Sequence, residues 1–209
     1  MSYILGLTGG IATGKSHLSD VLREAGAPVV DADRISHEVT APGGAAIPLI
    51  HEAFGAEYVK DGILDRKALG ALVFSDREAL EKLNAITHPL IFAEMSAQIA
   101  KAEQAGVPVV VLDVPLLFET GYDRLCDEVW CAWIPRKLQL ERLVVRDHLT
   151  HAEAEKRIQS QMSAWEKRRR ADRLIDTRGT LEESAKKVTA MYGELLGRLE
   201  KERNDAQNG

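Results

Sequence analysis

The sequence predicts an α/β protein with a doubly wound sheet, and three observations predict it. Short runs of β-branched and aliphatic residues alternate with longer segments that have helical periodicity. The apolar residues within each short run are nearly continuous, which is typical of parallel strands covered on both faces. A glycine-rich stretch joins the first short run directly to the first helical segment. Strand–helix alternation of this kind indicates a sheet packed between layers of helices.

The predicted elements follow one another in a regular order. The first helix is predicted over Lys15–Ala25, and Gly26 is placed to end it. Asp61-Gly62 lies between two short extended runs and predicts a tight turn in a small hairpin. Strands are predicted at Tyr3–Thr8, Pro28–Asp33, Pro108–Pro115, Glu128–Pro135 and Arg173–Asp176.

Three later helices are marked by capping boxes, in which Ser or Thr is followed three residues later by Glu. The second box opens a helix predicted over Thr150–Asp172. This helix contains the cationic run Lys167–Arg170, which is typical of a solvated face. The three tryptophans, Trp130, Trp133 and Trp165, are expected to pack in the core or in a lid, and platforms for base stacking are the alternative. The capping boxes are Ser75 with Glu78, Thr150 with Glu153 and Thr180 with Glu183.

Length and composition indicate one globular domain, or one core with smaller inserted lobes. The chain has 209 residues, of which 45% are hydrophobic and 28% charged, and this size can bury a core without a metal or a disulfide. Cys126 and Cys131 form a C-x4-C pair without further ligands, so buried free thiols are expected. No leader and no apolar run of about 18 residues is recognisable, which predicts a cytoplasmic protein with no membrane partner.

Charge is spread unevenly along the chain. The net charge is -5, but residues 136–173 hold 11 Lys and Arg against 6 Asp and Glu, a local charge of +5. Overall acidity argues against a nucleic-acid partner. A single basic segment on an acidic body instead favours a small polyanionic ligand approached by one mobile element. The sequence carries no signal for an oligomeric state.

A phosphate-binding loop is predicted at the start of the chain. Gly9-x4-Gly14-Lys15-Ser16 fits the pattern G-x-x-x-x-G-K-[ST] between a predicted strand and a predicted helix. Glycines let backbone N–H groups surround a phosphate, and the N-terminus of the helix adds partial positive charge. Lys15 is placed to reach the β- and γ-phosphates, and the Ser16 hydroxyl is placed to bind Mg²⁺. The sequence therefore predicts a site for a nucleoside triphosphate.

Several charged side chains near strand ends narrow the class of enzyme. The N-K-x-D motif of GTPases is absent. Asp31 and Asp33 are expected at the carboxyl end of the second strand, where α/β sheets bind ligands; a helix cap is the alternative role for Asp33. Asp113 ends the third strand, where it either holds Mg²⁺ through water or bonds to the loop. Arg142 and Arg146 share one helix face and are placed to fold over a triphosphate.

Together these residues resemble the dephospho-coenzyme A kinase family. The matching segments occur in the family's order and extend from residue 3 to about residue 199. The phosphate loop is generic, whereas T-H-P and D-V-P-L-L-F-E are specific to the family. Three positions depart from the family pattern: Ala12 replaces a usual Gly, His17 a common Thr, and Thr177 an Asn. The segments are 6–16, V-D-A-D (30–33), T-H-P (87–89), D-V-P-L-L-F-E (113–119), Q-L-E-R-L (139–143) with Arg146, and A-D-R-L-I-D (171–176).

The resemblance implies a P-loop fold like that of nucleoside-monophosphate kinases, with a five-stranded parallel core, a helical substrate lobe and a lid. It implies transfer of the γ-phosphate of ATP, with Mg²⁺, to the ribose 3'-hydroxyl of dephospho-coenzyme A. One kinase domain would then cover residues 1–204. Its parts are a core (1–33, 107–141, 171–204), a substrate-binding lobe (34–106) and a lid (142–170), followed by a frayed tail (205–209).

The resemblance also implies roles for individual residues. Asp33 matches the catalytic carboxylate, and Lys15 and Arg142 are expected to act on the transferred phosphate. His88, before Pro89, is expected to begin a helix and contact the substrate; a surface histidine is the alternative. Nucleotide contacts are expected from Gly10, Ile11, Ala12, Thr13, Gly14, Lys15, Ser16, His17, Arg142 and Arg146, substrate contacts from Thr8, Asp31, Asp33, His88 and Leu116, and metal contacts from Ser16 and Asp113.

Two other functions stay open at this point. One is a kinase for another small hydroxyl compound, such as a nucleoside, gluconate or shikimate, which a panel of acceptors would reveal. The other is a regulator that binds ATP without catalysis, in which replacement of Asp33 by alanine would change nothing.

Overall fold

The structure, a computed structural model, describes residues 1–207. The described chain forms two compact units. The first contains Met1–Val30 and the chain from Lys101 onward, and the second contains Asp31–Ala100.

Seven strands and nine α-helices are found in residues 1–207. The strands are β1 (Tyr3–Gly9), β2 (Val29–Asp31), β3 (Val59–Lys60), β4 (Ile63–Leu64), β5 (Val109–Asp113), β6 (Glu128–Trp133) and β7 (Arg173–Asp176). The helices are α1 (Lys15–Glu24), α2 (Ala32–Val39), α3 (Ala46–Phe54), α4 (Arg66–Ser75), α5 (Arg77–Gln104), α6 (Arg136–Asp147), α7 (His151–Gln159), α8 (Ala164–Arg170) and α9 (Leu181–Gln207).

The first unit is built on a five-stranded parallel sheet. Its strand order is β2-β5-β1-β6-β7, so the first strand of the chain lies at the centre. Leu5 pairs with Val111 on one side and with Glu128 on the other. The sheet packs against α1 and α9 through a cluster that includes Leu5, Leu18, Trp130 and Tyr192. The predicted α/β sheet is confirmed, and near-continuous burial along β5 explains why its sequence does not alternate.

The second unit consists of helices and one hairpin. Ile47, Ile50, Val59 and Leu69 form its core, from α3, β3 and α4. The predicted turn at Asp61-Gly62 is confirmed, because both residues have positive φ (50° and 75°), as a two-residue hairpin turn of this hand requires.

The prediction that a helix begins at His88 is wrong. His88 lies inside α5, a helix of 28 residues that also contains Pro89. Proline removes one backbone donor and usually breaks a helix interior. Here apolar residues on both sides of the proline, among them Leu83, Ile86 and Leu90, pack against the core of the second unit. This packing holds the helix together across the proline.

The capping box predicted at Ser75 is also wrong. Ser75 is the last residue of α4, and its hydroxyl donates to the carbonyls of Ala71 and Leu72. The next helix is capped instead by Asp76, whose carboxylate accepts from the backbone N–H of Glu78 at 2.9 Å. Asp and Ser are equally good N-cap residues, so the start of the helix was predicted one residue too early. The boxes at Thr150 and Thr180 are confirmed.

The helix predicted over Thr150–Asp172 is two helices. α7 ends at Gln159, and α8 begins after Ser163, whose hydroxyl and backbone N–H form a full capping box with Glu166. That second box, S-A-W-E, matches the same pattern as the first and starts a new helix inside the predicted one. The loop 160–163 between the two helices is therefore encoded in the sequence.

The last helix and the two cysteines are the remaining features of the first unit for which the sequence made a prediction. α9 continues to Gln207, three residues into the segment predicted to fray, and residues 208–209 lie outside the described residues. Among residues 1–207, no helix is both long and apolar enough to cross a membrane. Cys126 and Cys131 are free thiols, as expected, but only Cys131 is fully buried and Cys126 is half-buried. Desolvation is the main cause that raises their pKa values, to about 12 for Cys126 and about 11 for Cys131.

A buried carboxylate lies at the amino end of the parallel strands. Glu128, the first residue of β6, accepts hydrogen bonds from the Trp130 indole, the Tyr3 hydroxyl and the Arg198 guanidinium. Arg173 adds an ion pair at 3.1 Å. Burial opposes ionisation of Glu128, but these hydrogen bonds outweigh it and lower the pKa of the carboxyl. The amino edge of the sheet is thus closed by a satisfied polar network.

Candidate active site

The loop between β1 and α1 has the backbone of a phosphate cradle. Gly14 is the N-cap of α1 and has φ of 84°, a conformation that glycine adopts without strain. The Thr13 hydroxyl donates to the Gly10 carbonyl at 2.8 Å and closes the loop on itself. Ala12 has φ of 61°, so the departure from glycine at this position places a Cβ in the left-handed region.

Lys15 and Asp113 meet at the carboxyl end of the sheet. Lys15 is the first residue of α1, and Asp113 is the last residue of β5, which neighbours β1. The Lys15 ammonium donates to the Asp113 carboxylate, and both side chains are almost buried, at 11% and 3% exposure. Asp113 therefore touches the phosphate loop through its lysine. The loop contact proposed as its alternative role is observed, and it leaves a metal role untested.

Three residues outside the loop hold it in place, and none of them was predicted to do so. The Gln139 amide donates to the Ile11 carbonyl at 2.8 Å, and the Gln161 carbonyl accepts from the Ile11 N–H at 2.8 Å. The Thr177 hydroxyl donates to the Thr13 carbonyl at 2.6 Å. Gly10 admits Gln139, since a Cβ there would lie 2.7 Å from the amide nitrogen. No sequence pattern marks Gln139 or Gln161 for this role, because their partner Ile11 is distant along the chain.

A cavity of about 690 Å³ opens beside the loop. The aliphatic side chains of Val145 and Leu181 are exposed at this cavity. His17 lies on its wall, and its Nε2–H donates to the Leu181 carbonyl at 2.9 Å. The structure brings predicted site residues together here with residues of 177–184 that were not predicted. The lining residues are Ala12, Gly14, His17, Glu141, Arg142, Val145, Arg146, Thr177, Gly179, Thr180, Leu181 and Ser184.

The two predicted arginines of α6 both line this cavity but have different partners. Arg142 donates to the Thr177 carbonyl at 2.8 Å, which fixes it against the segment after β7. Arg146 makes two bonds to the carboxylate of Asp147, at 2.7 and 3.1 Å. This pairing raises the pKa of Arg146 and lowers the pKa of Asp147. In residues 1–207, neither guanidinium is held by the phosphate loop itself.

The loop that follows β5 is anchored from two sides. The Thr8 hydroxyl donates to the Pro115 carbonyl at 3.1 Å, and the Lys167 ammonium donates to the same carbonyl at 2.6 Å. Lys167 also pairs with Glu119 at 2.9 Å and is fully buried. Leu116, between these anchors, is 39% exposed, so the loop presents an apolar side chain to solvent.

The prediction of a solvated cationic face at 167–170 is therefore wrong for Lys167 and right for the three arginines that follow it, which are exposed. Lys167 is buried as an ion pair, and each following arginine lies over an aromatic ring, with the Arg168 guanidinium 5.3 Å from the centre of the Trp133 ring. Trp130 packs in the core as expected. Trp165 is 62% exposed, and the Arg169 guanidinium lies 4.7 Å from the centre of its ring.

Within the second unit, the carboxylate that caps the helix after β2 is Asp31 and not Asp33, to which the cap was given as an alternative role. Asp31 ends β2 and is the N-cap of α2, and its carboxylate accepts from the Arg34 N–H at 3.0 Å. Asp33 lies in the first turn of α2. The cap is thus Asp31, because the helix begins at Ala32, two residues earlier than expected, and the strand ends before Asp33. His88, also in the second unit, lines a cavity of about 280 Å³ with Ser36, Arg66 and Asn84.

Two residues at the carboxyl end of the sheet, rather than a complete ligand cluster, are suited to a metal ion. Residues 1–207 contain no group of three or more His, Cys, Asp or Glu side chains that would form a complete metal site. Mg²⁺ commonly takes one or two protein ligands and completes its shell with phosphates and water. A single strand-end carboxylate, Asp113, with the hydroxyl of Ser16 at the start of α1, fits that mode of binding.

Comparison with known proteins decides the family. A family model described as dephospho-CoA kinase matches residues 3–183 of this chain. The chain belongs to the dephospho-CoA kinase family. A relative named dephospho-CoA kinase from Symbiobacterium thermophilum is 48% identical over 195 residues, which are 93% of this chain and 82% of the relative.

Solved structures agree with membership of the dephospho-CoA kinase family. The dephospho-CoA kinase from Campylobacter jejuni is 28% identical and has a TM-score of 0.72, over 93% of this chain and 98% of that one. A shikimate kinase from Aquifex aeolicus has a TM-score of 0.50 at 20% identity, over 93% and 99% of the two chains, and shares the fold alone. The predicted P-loop kinase fold and the resemblance stated from sequence are both confirmed.

Proposed function

We propose that this chain transfers the γ-phosphate of ATP to the ribose 3'-hydroxyl of dephospho-CoA, which yields ADP and coenzyme A. One observation carries the proposal. The phosphate-loop lysine, Lys15, meets the strand-end Asp113 beside an open cavity of about 690 Å³, in a chain that matches the family model over residues 3–183. Cations at a loop of this kind stabilise the charge that shifts during phosphoryl transfer.

The triphosphate is assigned to the loop from Gly10 to His17. Its backbone N–H groups and the N-terminus of α1 favour anions, and Lys15 supplies the nearest fixed cation. The adenine base of ATP is assigned to the cavity beside the loop. Val145 and Leu181 are exposed there and offer aliphatic surface to an aromatic ring. Arg142 and Arg146 line this cavity, and we assign them to the transferred phosphate.

The acceptor is assigned to groups that match the family's motifs. Asp33 would orient the 3'-hydroxyl and accept its proton as the oxygen attacks the γ-phosphorus and the bond to the β-phosphate oxygen breaks. Asp31, Thr8, His88 and Leu116 would hold the substrate. Mg²⁺, held by Ser16 and Asp113, would neutralise phosphate charge when bound. Residues 34–106 would act as the substrate lobe and 142–170 as the lid, in an enzyme of the cytoplasm.

An acceptor panel tests the proposed reaction. Purified protein is mixed with ATP, Mg²⁺ and one acceptor, and ADP release is followed by a coupled assay. We expect rapid release with dephospho-CoA and slow release with shikimate, gluconate or a nucleoside. Phosphorus NMR of the product should show a new 3'-phosphate. Faster turnover of any other acceptor, or the same rate without acceptor, would contradict the proposal.

The Lys15→Met variant is the control in this assay, because it removes the cation that the phosphates require and leaves the other loop residues in place. Activity in that variant equal to wild type would contradict the assignment of Lys15 to the phosphates.

A further inference from the structure

The loop that joins α7 to α8 contacts two separate loops of the first unit. The Gln161 side-chain carbonyl accepts from the Ile11 backbone N–H at 2.8 Å. The next residue, Met162, donates its backbone N–H to the Glu119 carboxylate at 2.9 Å. Two adjacent residues of one short loop thus bond to the phosphate loop on one side and to the loop after β5 on the other.

The bond from Gln161 completes the support of Ile11. The Ile11 carbonyl already accepts from Gln139, which is buried, and the Ile11 side chain packs against a cluster that contains Leu143 and Ile158. With Gln161 on the N–H, both polar groups of this residue are bonded to α6 or to the loop after α7. A backbone segment held in this way keeps its conformation before a ligand arrives, which lowers the entropic cost of binding.

The other end of the connection is equally firm. Glu119, which accepts from Met162, pairs with the fully buried Lys167 at 2.9 Å. Lys167 also donates to the Pro115 carbonyl at 2.6 Å. A continuous series of bonds therefore leads from Ile11 through residues 161–162 to the loop that carries Leu116.

We propose that Gln161 is a positioning residue that holds the phosphate loop in its ATP-binding form and ties it to the loop 114–119. The part that concerns the loop 114–119 rests on the proposed function, in which that loop contacts the acceptor. Gln161 touches neither reacting atom in this role, since its partner is a backbone N–H. A ligand that orders one of the two tied loops lowers the entropic cost of ordering the other, so ATP binding and acceptor binding favour each other, and by the same factor.

Binding of a non-hydrolysable ATP analogue, measured by calorimetry with Mg²⁺ and without acceptor, tests the first part. The variant is Gln161→Met, which fills similar space but cannot accept the bond from Ile11. The matched control is Gln159→Met, the same change at an exposed position two residues earlier. Loss of one such bond should weaken affinity by about three- to tenfold in Gln161→Met and leave Gln159→Met like wild type. Unchanged affinity overturns the proposal. Tighter binding also overturns it, since Gln161 would then compete with a phosphate for the Ile11 N–H.

A merely structural role gives a different result. It would lower the midpoint of thermal unfolding and leave the affinity of the folded fraction unchanged, so the midpoint is measured for all three proteins. Should Gln161→Met fold poorly, Gln161→Glu keeps an acceptor for the Ile11 N–H and should restore the wild-type midpoint. Failure of that variant to restore it overturns the assigned bond.

The same calorimetry with saturating dephospho-CoA tests the tie. The wild type should bind the analogue more tightly with dephospho-CoA than without it, and Gln161→Met should bring this ratio close to one. A ratio of one in the wild type overturns the tie. If the proposed function is wrong, the wild type will not turn over dephospho-CoA. That result would leave the comparison of ATP-analogue affinities without acceptor unaffected, so the two failures can be told apart.

Discussion

The two edges of the parallel sheet each contain a nearly buried carboxylate, and the two carboxylates differ in the number of side chains that bond to them. At the amino edge, Glu128 is bonded by four side chains from three elements and the strand itself. At the carboxyl edge, the ion pair found for Asp113 within residues 1–207 is with Lys15 alone. A carboxylate accepts about four hydrogen bonds. The protein satisfies Glu128 by itself, and it leaves Asp113 and Lys15 with capacity for a ligand.

Backbone strain is also found at the carboxyl edge. Ala12, a non-glycine residue with positive φ, lies at the carboxyl edge, in the phosphate loop. Strain and sparse pairing tend to persist where function requires them. We infer that the amino edge serves stability and the carboxyl edge serves catalysis, and the following four changes test that contrast.

The largest effect is expected at the carboxyl edge, for Lys15→Met. Loss of the fixed cation should lower kcat/KM by about 10²–10³, as for other groups that stabilise transition-state charge. Lys186→Met, an exposed lysine of α9, is the matched control. Steady-state ADP release measures the effect, with circular dichroism to show that the fold is kept. A loss of less than about tenfold would show that Lys15 is not the main phosphate ligand.

Asp33→Asn should lower kcat by about 10² or more, as expected for loss of a general base. Asp31→Asn is the comparison variant and should have the milder effect, because Asn and Asp are near-equivalent N-caps and the bond to the Arg34 N–H is kept. Single-turnover rates with saturating ATP and dephospho-CoA measure both variants. If Asp31→Asn is inactive and Asp33→Asn is active, the base is on the other carboxylate. Two active variants would contradict the mechanism.

At the amino edge, Glu128→Gln should reduce stability and leave kcat unchanged. Replacement of a carboxylate that accepts charged hydrogen bonds costs about 1.5–3 kcal/mol, so the midpoint of thermal unfolding should fall by roughly 3–10 °C. The exposed Glu202→Gln is the control. A fall in kcat of the folded variant, rather than in stability, would break the contrast between the two edges.

The difference in stability between the wild type and Glu128→Gln should depend on pH in one direction. The pKa of Glu128 is lowered in the folded state, so its stabilisation is complete above the unfolded pKa of about 4.3 and is lost as pH falls through the folded pKa. The stability gap between wild type and Glu128→Gln should therefore narrow below about pH 4. A gap that stays constant to lower pH would show that the carboxyl is not preferentially ionised in the folded protein.

The smallest effect is expected for Ala12→Gly. Glycine removes the strain of a Cβ at positive φ but adds freedom to the unfolded chain, so the net gain in stability should be about 0.5–1 kcal/mol. The midpoint of thermal unfolding should rise by about 1–4 °C. Gly70→Ala, in the interior of α4, provides the reverse substitution in a helix, where no atom lies within 4 Å of the added Cβ. A lower midpoint for Ala12→Gly would mean that the alanine methyl contributes more by packing than it costs.

The strands and the phosphate loop were predictable because their signals are local. Continuous apolar runs gave the five sheet strands, and Arg173–Asp176 was predicted with the bounds that the structure shows. Helix starts were less secure. Ser75 and Asp76 are adjacent and equally able to cap a helix, so the pattern does not say which of them does. The capping box at Ser163 lies inside a longer helical pattern, which conceals the break between α7 and α8.

The supports of the site could not be predicted from sequence. Gln161 reaches Ile11 across 150 residues, and Thr177 reaches Thr13 across 164. Such bonds depend on the folded arrangement of the chain, and the residue types involved are common on surfaces. The buried Lys167 is the sharpest case, since three neighbouring arginines made it read as solvated, whereas its partner Glu119 lies far away in the sequence.

The two native thiols have a practical consequence for spectroscopy. With pKa values raised to about 12 and about 11, Cys126 and Cys131 stay protonated at neutral pH and react slowly with maleimides. A cysteine introduced at an exposed position, such as Gln159 or Lys186, would carry a fluorophore selectively without removal of the native cysteines. Distances between two such labels could then report, in single molecules, whether α7 changes its separation from α9 during turnover.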